Sequence, residues 1–107
     1  MRVRLSQLAQ SDMRAIGDRI SREVGPRRAR EFILDLREKC LGLSRMPERF
    51  ALLDGFENTG VRRRVCGNYL IVYRIKTSDV EILRIFHGTM EYEKLLSMDT
   101  RLKDDLH

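Results

Sequence analysis

Two stretches that are apolar on both sides constrain this chain more than any other feature of its sequence. Residues 69–75 read YLIVYRI and residues 80–86 read VEILRIF, so apolar side chains occur at both odd and even positions. A strand in a sheet covered on one face only would alternate apolar with polar residues. We therefore predict neighbouring strands with two apolar faces. The helices of the chain suffice to cover one face, which leaves the other to the loop at 48–60, a C-terminal helix or another molecule.

The first half of the chain predicts one short strand and a helix hairpin. Residues 2–5 alternate polar and apolar, as a half-buried strand does. Ser6 is a favourable N-cap, and Gly25-Pro26 ends the first helix and begins the second. Two amphipathic helices joined by a short break form an antiparallel hairpin with one apolar side. Their apolar stripes are Ala9, Met13, Ile16, Ile20 and Val24, and then Ala29, Phe32, Ile33, Leu36, Cys40 and Leu43.

The second half predicts a three-stranded meander. Gly67-Asn68 separates residues 61–65 from the first apolar strand, and such a pair favours a tight hairpin turn. After Gly88, a short helix is predicted, with Tyr92, Leu95 and Leu96 on its apolar side. The predicted fold class is α+β, with an N-terminal strand, a helix hairpin packed on an antiparallel three- to four-stranded sheet and a short C-terminal helix. Residues 1–98 form one domain, and 99–107 a polar C-terminal tail.

Composition narrows the classes of function. No apolar run approaches the ~20 residues that cross a bilayer, and the N-terminus lacks a secretory signal, so we expect no membrane contact and a cytoplasmic location. Cys40 and Cys66 have no partner at zinc-ligand spacing and are expected to be reduced thiols. We expect neither a metal nor a cofactor. The net charge of +5 favours an acidic partner, although charge alone is weak evidence for a bare nucleic-acid binder.

The order of these segments resembles one known superfamily. The segments are LSQLAQSDMRAIGDRI, PRRAREFILDLREKC, MPERF and GVRRRVCGNYLIVYRIKTSDVEILRIFHG, and together they are similar to the ParE/RelE toxins of type II toxin–antitoxin systems. The Y-x-I-x-Y-R and I-L-R-I-x-H-G patterns resemble the ParE branch more closely. The resemblance implies a plasmid-stabilisation toxin that is neutralised by a ParD-like antitoxin, whose C-terminal segment wraps the toxin. It also implies contact with operator DNA only through the antitoxin.

The resemblance leaves two targets open: ParE toxins are understood to poison DNA gyrase, whereas RelE toxins cut mRNA on the ribosome. Cutting RNA requires a base, an acid and cations that stabilise the phosphorane. If the chain is RelE-like, the candidate catalytic residues are Arg64, Arg74, Arg84 and His87. Strand alternation places His87 opposite Arg84, which favours a structural role for the histidine. We therefore favour a gyrase-binding toxin over an enzyme and keep an mRNA endoribonuclease as the alternative.

A gyrase-binding toxin needs a charged surface for its target and an apolar one for its antitoxin. The residues predicted to bind the target are Arg62, Arg63, Arg64, Arg74 and Arg84. By alternation Arg62 and Arg64 point outward, either toward an acidic partner or as charges that protect an edge strand. Arg74 and Arg84 either emerge at an uncovered face or pair with acids such as Glu81 or Glu57. The predicted antitoxin-binding surface consists of Met13, Ile16, Ile20, Leu70, Val72 and Phe86.

Overall fold

A computed structural model describes residues 1–88 as two helices packed on a four-stranded sheet. The elements are β1 (Arg2–Leu5), α1 (Gln7–Val24), α2 (Pro26–Leu41), β2 (Arg62–Cys66), β3 (Tyr69–Ile75) and β4 (Asp79–His87), with short 3-10 turns at Gly42–Ser44, Pro47–Arg49 and Glu57–Thr59. This confirms the α+β class, the N-terminal strand, the helix hairpin and the meander. The predicted C-terminal helix and the tail at 99–107 lie outside the described residues.

The sheet is mixed, with the strand order β1-β4-β3-β2. The three strands of the meander pair antiparallel, as predicted. β1 differs from an all-antiparallel sheet because it runs parallel to β4, with Val3 opposite Val80. A parallel pair requires a long crossover connection, and here the helix hairpin forms the first part of that connection.

Local sequence signals determine where the helices begin and end. The Ser6 hydroxyl accepts a hydrogen bond from the Ala9 backbone N–H at 2.9 Å and donates to the Leu83 carbonyl at 2.8 Å, so the cap also ties α1 to β4. Gly25 lies between the helices at a φ of 105°, a conformation that favours glycine. Val24 does not continue the apolar stripe and is 64% exposed, because α1 ends there, at the tip of the hairpin.

The helix-side face of the sheet carries the main core. Residues of both helices pack there on side chains of β3 and β4. The buried members are Ala9, Met13, Ile16, Leu36, Cys40, Leu43, Cys66, Tyr69, Ile71, Tyr73, Val80, Ile82 and Ile85. The spacing of three and four residues along both helices therefore predicted the core-facing side correctly.

The opposite face of the sheet, called the outer face below, is covered by the loop between the helix hairpin and β2. Its buried cluster consists of Leu53, Phe56, Val61, Val72, Leu83 and Phe86. The loop is fixed by backbone hydrogen bonds from Leu53 to Val61 (2.8 Å) and from Arg63 to Ala51 (3.0 Å). Of the three covers that the sequence left open, the loop is the one that residues 1–88 show, and it hides most of the second apolar face.

A β-bulge at Leu83 changes the alternation of β4. Val72 pairs with Arg84, but the next residue of β3, Tyr73, pairs with Ile82. Leu83 therefore packs on the outer face, while Ile85 belongs to the helix-side core. Simple alternation had placed these two residues together, and the bulge separates them.

Candidate functional site

Arg62 lies on the helix side of β2 and binds backbone carbonyl groups. Its Nη1 donates to the carbonyl oxygens of Glu48 at 3.0 Å and Phe50 at 2.6 Å. These bonds fix the start of the loop that covers the outer face. Arg62 Nη1 is therefore turned toward the loop, which corrects the outward direction that alternation predicted, and a part for Arg62 in target binding stays a prediction.

Arg64 has a similar structural role at the end of α2. Its Nη1 donates to the Lys39 carbonyl at 2.8 Å, and its guanidinium lies 4.8 Å from the centre of the Phe50 ring. The last carbonyls of a helix lack partners within the helix, and a cation there is also favoured by the helix dipole. Arg64 Nη1 therefore caps the helix, which corrects the outward direction that alternation predicted, and a part for Arg64 in target binding stays a prediction.

Arg63 differs from its two neighbours because it lies on the outer face. It pairs with Val72 across the β2–β3 ladder, and Val72 belongs to the outer cluster. Its side chain is half-buried, and it forms no side-chain hydrogen bond or ion pair within residues 1–88. Of the arginine triplet, Arg63 is the residue that the fold leaves available to a target.

Arg74 is buried on the outer face and pairs with an acid, as the sequence allowed. Its Nη2 lies 3.5 Å from a carboxylate oxygen of Glu81, the residue opposite it on β4. Arg74 is only 8% exposed. Removing one partner of such a buried pair leaves an uncompensated charge, so the pair is important for the integrity of this end of the sheet.

Arg84 pairs with Asp12, a residue that sequence reasoning did not select. The Asp12 carboxylate accepts from Arg84 Nε at 2.8 Å, from Arg84 Nη2 at 2.9 Å and from the Ile85 backbone N–H at 2.9 Å. β1 ends opposite Ile82, so Arg84 can reach around the edge of the sheet to α1. The guanidinium also lies 4.9 Å from the Phe86 ring centre. The sequence did contain a signal for this pair, since Asp12 lies next to Met13 of the apolar stripe of α1.

His87 lies on the helix-side face at the end of β4. Its ring contacts Tyr69 edge-on at 5.2 Å, and Tyr69 in turn contacts Phe32 at 5.5 Å. The bulge does not alter the relation of His87 to Arg84, whose guanidinium lies over Phe86 on the outer face. Alternation thus holds for the two strand positions, but the Arg84 guanidinium reaches Asp12 of α1, and Arg84 and His87 line one cavity of about 180 Å³.

The four candidate catalytic residues are not brought to one point. Arg64 lies on the helix side at the end of α2, whereas Arg74 and Arg84 belong to the outer face. His87 pairs with Tyr69, five residues along β3 from Arg74, which corresponds to about 17 Å at about 3.4 Å per residue. The described residues also contain no group of three His, Cys, Asp or Glu side chains that could hold a metal ion.

The residues predicted to bind an antitoxin lie mainly in the core. Met13 and Ile16 are 6% and 7% exposed beneath the helices, and Val72 and Phe86 are 0% and 1% exposed beneath the loop. Val72 and Phe86 are covered by the chain itself, which corrects their placement on an open surface, whereas Met13 and Ile16, although largely buried, each line a cavity. Ile20 and Leu70 are only partly buried and keep some accessible surface.

A groove between the helices offers a different apolar surface. It has a volume of about 660 Å³ and lies where the open end of the hairpin meets β1. Its lining residues are Leu5, Gln10, Met13, Arg14, Gly17, Ile33, Arg37, Cys40 and Leu41. Leu41 is 53% exposed, so the groove is open to solvent along α2. An apolar groove flanked by two arginines fits an amphipathic segment that carries acidic residues.

The two cysteines are buried thiols. Burial raises the pKa of Cys40 to about 12 and also raises the pKa of Cys66. Cys66 Sγ lies 3.7 Å from an oxygen of Asp35. Since the thiolate is the reactive form, neither cysteine is suited to nucleophilic chemistry. No helix in the described part of the chain is long and apolar enough to cross a membrane.

Two solved structures show what class of protein has this fold. The chain is similar to one described as the chromosomal ParDE toxin–antitoxin system from P. aeruginosa, at 26% identity and a TM-score of 0.72 over 81% of this chain and 95% of that one. It is also similar to the toxin–antitoxin complex RelBE2 from Mycobacterium tuberculosis, at 28% identity and a TM-score of 0.59 over 80% and 95%. The fold is therefore that of the ParE/RelE toxins.

A sequence model of one family distinguishes the ParE branch from the RelE branch. The model for the ParE toxin of the type II toxin–antitoxin system parDE matches residues 3–92. The chain belongs to the ParE toxin family. No curated protein matches the sequence.

Proposed function

We propose that this ParE-family toxin inhibits DNA gyrase by binding it, without cleaving a substrate itself. The observation that carries the proposal is that Arg64 and Arg74 lie apart from the cavity that Arg84 and His87 line together. Arg64 caps α2, and Arg74 lies about 17 Å along β3 from the residue opposite His87. Binding needs a complementary surface and no such convergence. Gyrase is the target that the family resemblance implies. A cytoplasmic location is part of the proposal, because both gyrase and the ribosome are cytoplasmic.

The outer face supplies the proposed target-binding surface. Arg63 has no side-chain partner within residues 1–88, whereas Arg84, which also pairs with Val72 on the neighbouring strand, already binds Asp12 through Nε and Nη2. A planar guanidinium recognises a carboxylate through two parallel hydrogen bonds, and Arg63 retains the donors for such a pair. Arg74 supports this surface through Glu81. Arg62 and Arg64 contribute indirectly, since they hold the loop and the end of α2.

Activity assays separate the two targets. Purified toxin should inhibit DNA supercoiling by gyrase or trap cleaved DNA at micromolar concentration, and it should leave mRNA intact on translating ribosomes. Loss of supercoiling with no mRNA cleavage supports gyrase as the target. A new mRNA cleavage product that disappears in His87→Ala, together with unaffected gyrase, would contradict the proposal.

A RelE-like mRNA endonuclease is the second candidate. The similarity to the RelBE2 complex and the position of His87 against Tyr69 favour it. It requires that the ribosome or the mRNA complete an active site that the described residues do not assemble. The ribosome assay above tests it directly.

We also propose that a ParD-like antitoxin neutralises the toxin by placing an acidic amphipathic segment in the groove of about 660 Å³ between α1 and α2. Both similar structures are toxin–antitoxin complexes. Arg14 and Arg37 flank an apolar floor that includes Met13, and they would pair with acids beside the apolar residues of the segment. Ile20 and Leu70 remain candidates for the rim of a larger interface.

Two exposed leucines of α2 provide a matched test of the groove. Leu41 lines it and is 53% exposed, whereas Leu34 is 59% exposed and does not line it. Leu41→Asp should weaken antitoxin binding by about tenfold or more, since a charge would enter the apolar contact. Leu34→Asp should leave the affinity within about twofold. Equal effects in isothermal titration calorimetry would show that the segment binds elsewhere.

A further inference from the structure

Two tyrosines on the helix-side face of β3 differ in what their hydroxyl groups contact. Tyr73 donates to the Pro47 carbonyl at 2.6 Å and is fully buried. Tyr69 is 8% exposed, yet its hydroxyl forms no hydrogen bond with any residue in the range 1–88. Although the residue is largely buried, the hydroxyl oxygen itself keeps accessible surface. The hydroxyl of Tyr69 is thus available to a partner outside the described chain.

Tyr69 lies where three cavities adjoin, at the end of the sheet next to the β2–β3 turn. Their volumes are about 180, 290 and 310 Å³, and Tyr69 and His87 line all three. Arg19 of α1 and Asn68 of the turn each line two of them. Each cavity holds one small group, and none is large enough for an extended ligand.

Two glycines allow the β2–β3 turn to pack closely against its neighbours at this end of the sheet. Gly67 has a φ of 59°, and a Cβ there would lie 3.3 Å from Cε1 of Phe32. The Gly88 N–H donates to the Asn68 carbonyl at 2.6 Å, and a Cβ at Gly88 would lie 3.2 Å from that oxygen. The turn therefore sits directly on the end of β4 and against α2, so its position relative to Tyr69 is fixed.

Several side chains around these cavities retain hydrogen-bond donors that have no acceptor among residues 1–88. Asp12 already accepts three hydrogen bonds, two from Arg84 and one from Ile85. Glu23 accepts from Arg19 Nε at 3.2 Å, and this exposed pair leaves the other guanidinium nitrogens of Arg19 available. The Tyr69 hydroxyl and the Asn68 amide add further donors.

We propose that this end of the sheet is a binding site for a single carboxylate, the acidic side chain of a partner protein, recognised by Tyr69 and Arg19 beside His87. Charge-assisted hydrogen bonds from a hydroxyl and a guanidinium favour such a group. A nucleic-acid strand fits less well, because cavities of about 180, 290 and 310 Å³ each hold one small group and do not form a groove for a row of regularly spaced phosphates. The site is separate from the groove at the open end of the hairpin, and its test does not require the target to be known.

NMR titration with two isosteric ligands tests the charge requirement. N-acetyl-glutamate amide and N-acetyl-glutamine amide are added to the full chain at constant ionic strength, and the His87 ring and Asn68 amide signals are followed. The carboxylate ligand should shift these signals in a saturable way, and the amide ligand should not. Equal shifts with both ligands would overturn the proposal, and so would binding of inorganic phosphate or a single-stranded oligonucleotide at lower concentration than the carboxylate.

Matched variants test the residues. Tyr69→Phe should weaken carboxylate binding by about tenfold, the loss expected for one hydrogen bond to a charged group, with no change in melting temperature. Tyr73→Phe should do the reverse, because its hydroxyl serves only Pro47. Arg19→Gln should also weaken binding, whereas Arg27→Gln, which removes an equivalent ion pair with Glu31 on α2, should not. Unchanged affinity in both Tyr69→Phe and Arg19→Gln would overturn the assignment.

Discussion

The two faces of the sheet put the same residue type to different uses. On the helix side, Nη1 of Arg62 and Nη1 of Arg64 donate hydrogen bonds to backbone carbonyls of the loop and of α2. On the outer face, Arg63 has no such partner within residues 1–88. Three consecutive arginines thus divide into two that stabilise the fold and one that is available for recognition. The difference shows that a run of charge must be divided by strand face before it is assigned a function.

The largest expected effect on stability comes from truncating a buried leucine on each face of the sheet, one beneath the helices and one beneath the loop. Leu36 of α2 and Leu53 of the loop are both 0% exposed. Each change to alanine should lower the free energy of unfolding by about 2–5 kcal/mol, through lost burial and a residual cavity. Urea denaturation measures both. A loss below about 1 kcal/mol for Leu53→Ala, with the full loss for Leu36→Ala, would show that the loop is a loose cover and would reopen the case for a partner there.

Asp12→Ala tests the connection between α1 and the bulge. It leaves the Arg84 guanidinium and the Ile85 N–H without the carboxylate that binds them, so we expect a loss of about 2–3 kcal/mol. The loss in Asp12→Ala/Arg84→Ala should be smaller than the sum of the single losses, because the two residues act as a pair. Additive losses in thermal unfolding would be inconsistent with a shared contact.

The arginine triplet gives a smaller but sharper contrast in stability. Arg64→Ala should cost about 1–2 kcal/mol, since it removes a charged hydrogen bond to the Lys39 carbonyl and the contact with Phe50. Arg63→Ala should stay within about 0.5 kcal/mol of the parent. If the order of the two losses is reversed, the division of the triplet between faces is wrong.

A fall in stability at alkaline pH gives a further contrast. The pKa of Cys40 is raised from 9.0 to about 12 by burial, so the folded state keeps a proton that the unfolded state loses. This contribution is fully present below pH 9 and is lost as pH rises toward 12. Cys40→Ala should therefore show a shallower decline in unfolding free energy above pH 9 than the parent. Parallel pH profiles would contradict the buried thiol.

How far the sequence predicts this molecule depends on whether a feature is local. The helix hairpin follows from Ser6, Gly25-Pro26 and apolar spacing, and the β2–β3 turn follows from Gly67-Asn68, because each signal acts within a few residues. The loop cover, the parallel β1–β4 pair and the bulge at Leu83 depend on contacts between distant segments. Alternation alone could not reveal that bulge.

In the candidate site, too, contacts between neighbouring positions could be predicted and contacts between distant segments could not. The pairing of Arg74 with Glu81 could be predicted because it joins neighbouring positions across one hairpin. The inward turn of Arg62 and Arg64 could not, since their partners are carbonyl groups contributed by another part of the fold. Asp12 was missed for a related reason, as it meets Arg84 across 72 residues of sequence.

The affinity of the toxin for gyrase in matched arginine variants tests the central claim most directly. Arg28 of α2 is exposed and forms no ion pair within the described chain, so Arg28→Ala controls for the loss of one positive charge. Surface plasmon resonance should show that Arg63→Ala weakens gyrase binding by about tenfold or more, as truncation of a central interface arginine does, while Arg28→Ala stays within about twofold. Equal affinities for the parent and Arg63→Ala, or no binding of gyrase by the parent, would contradict recognition through the outer face.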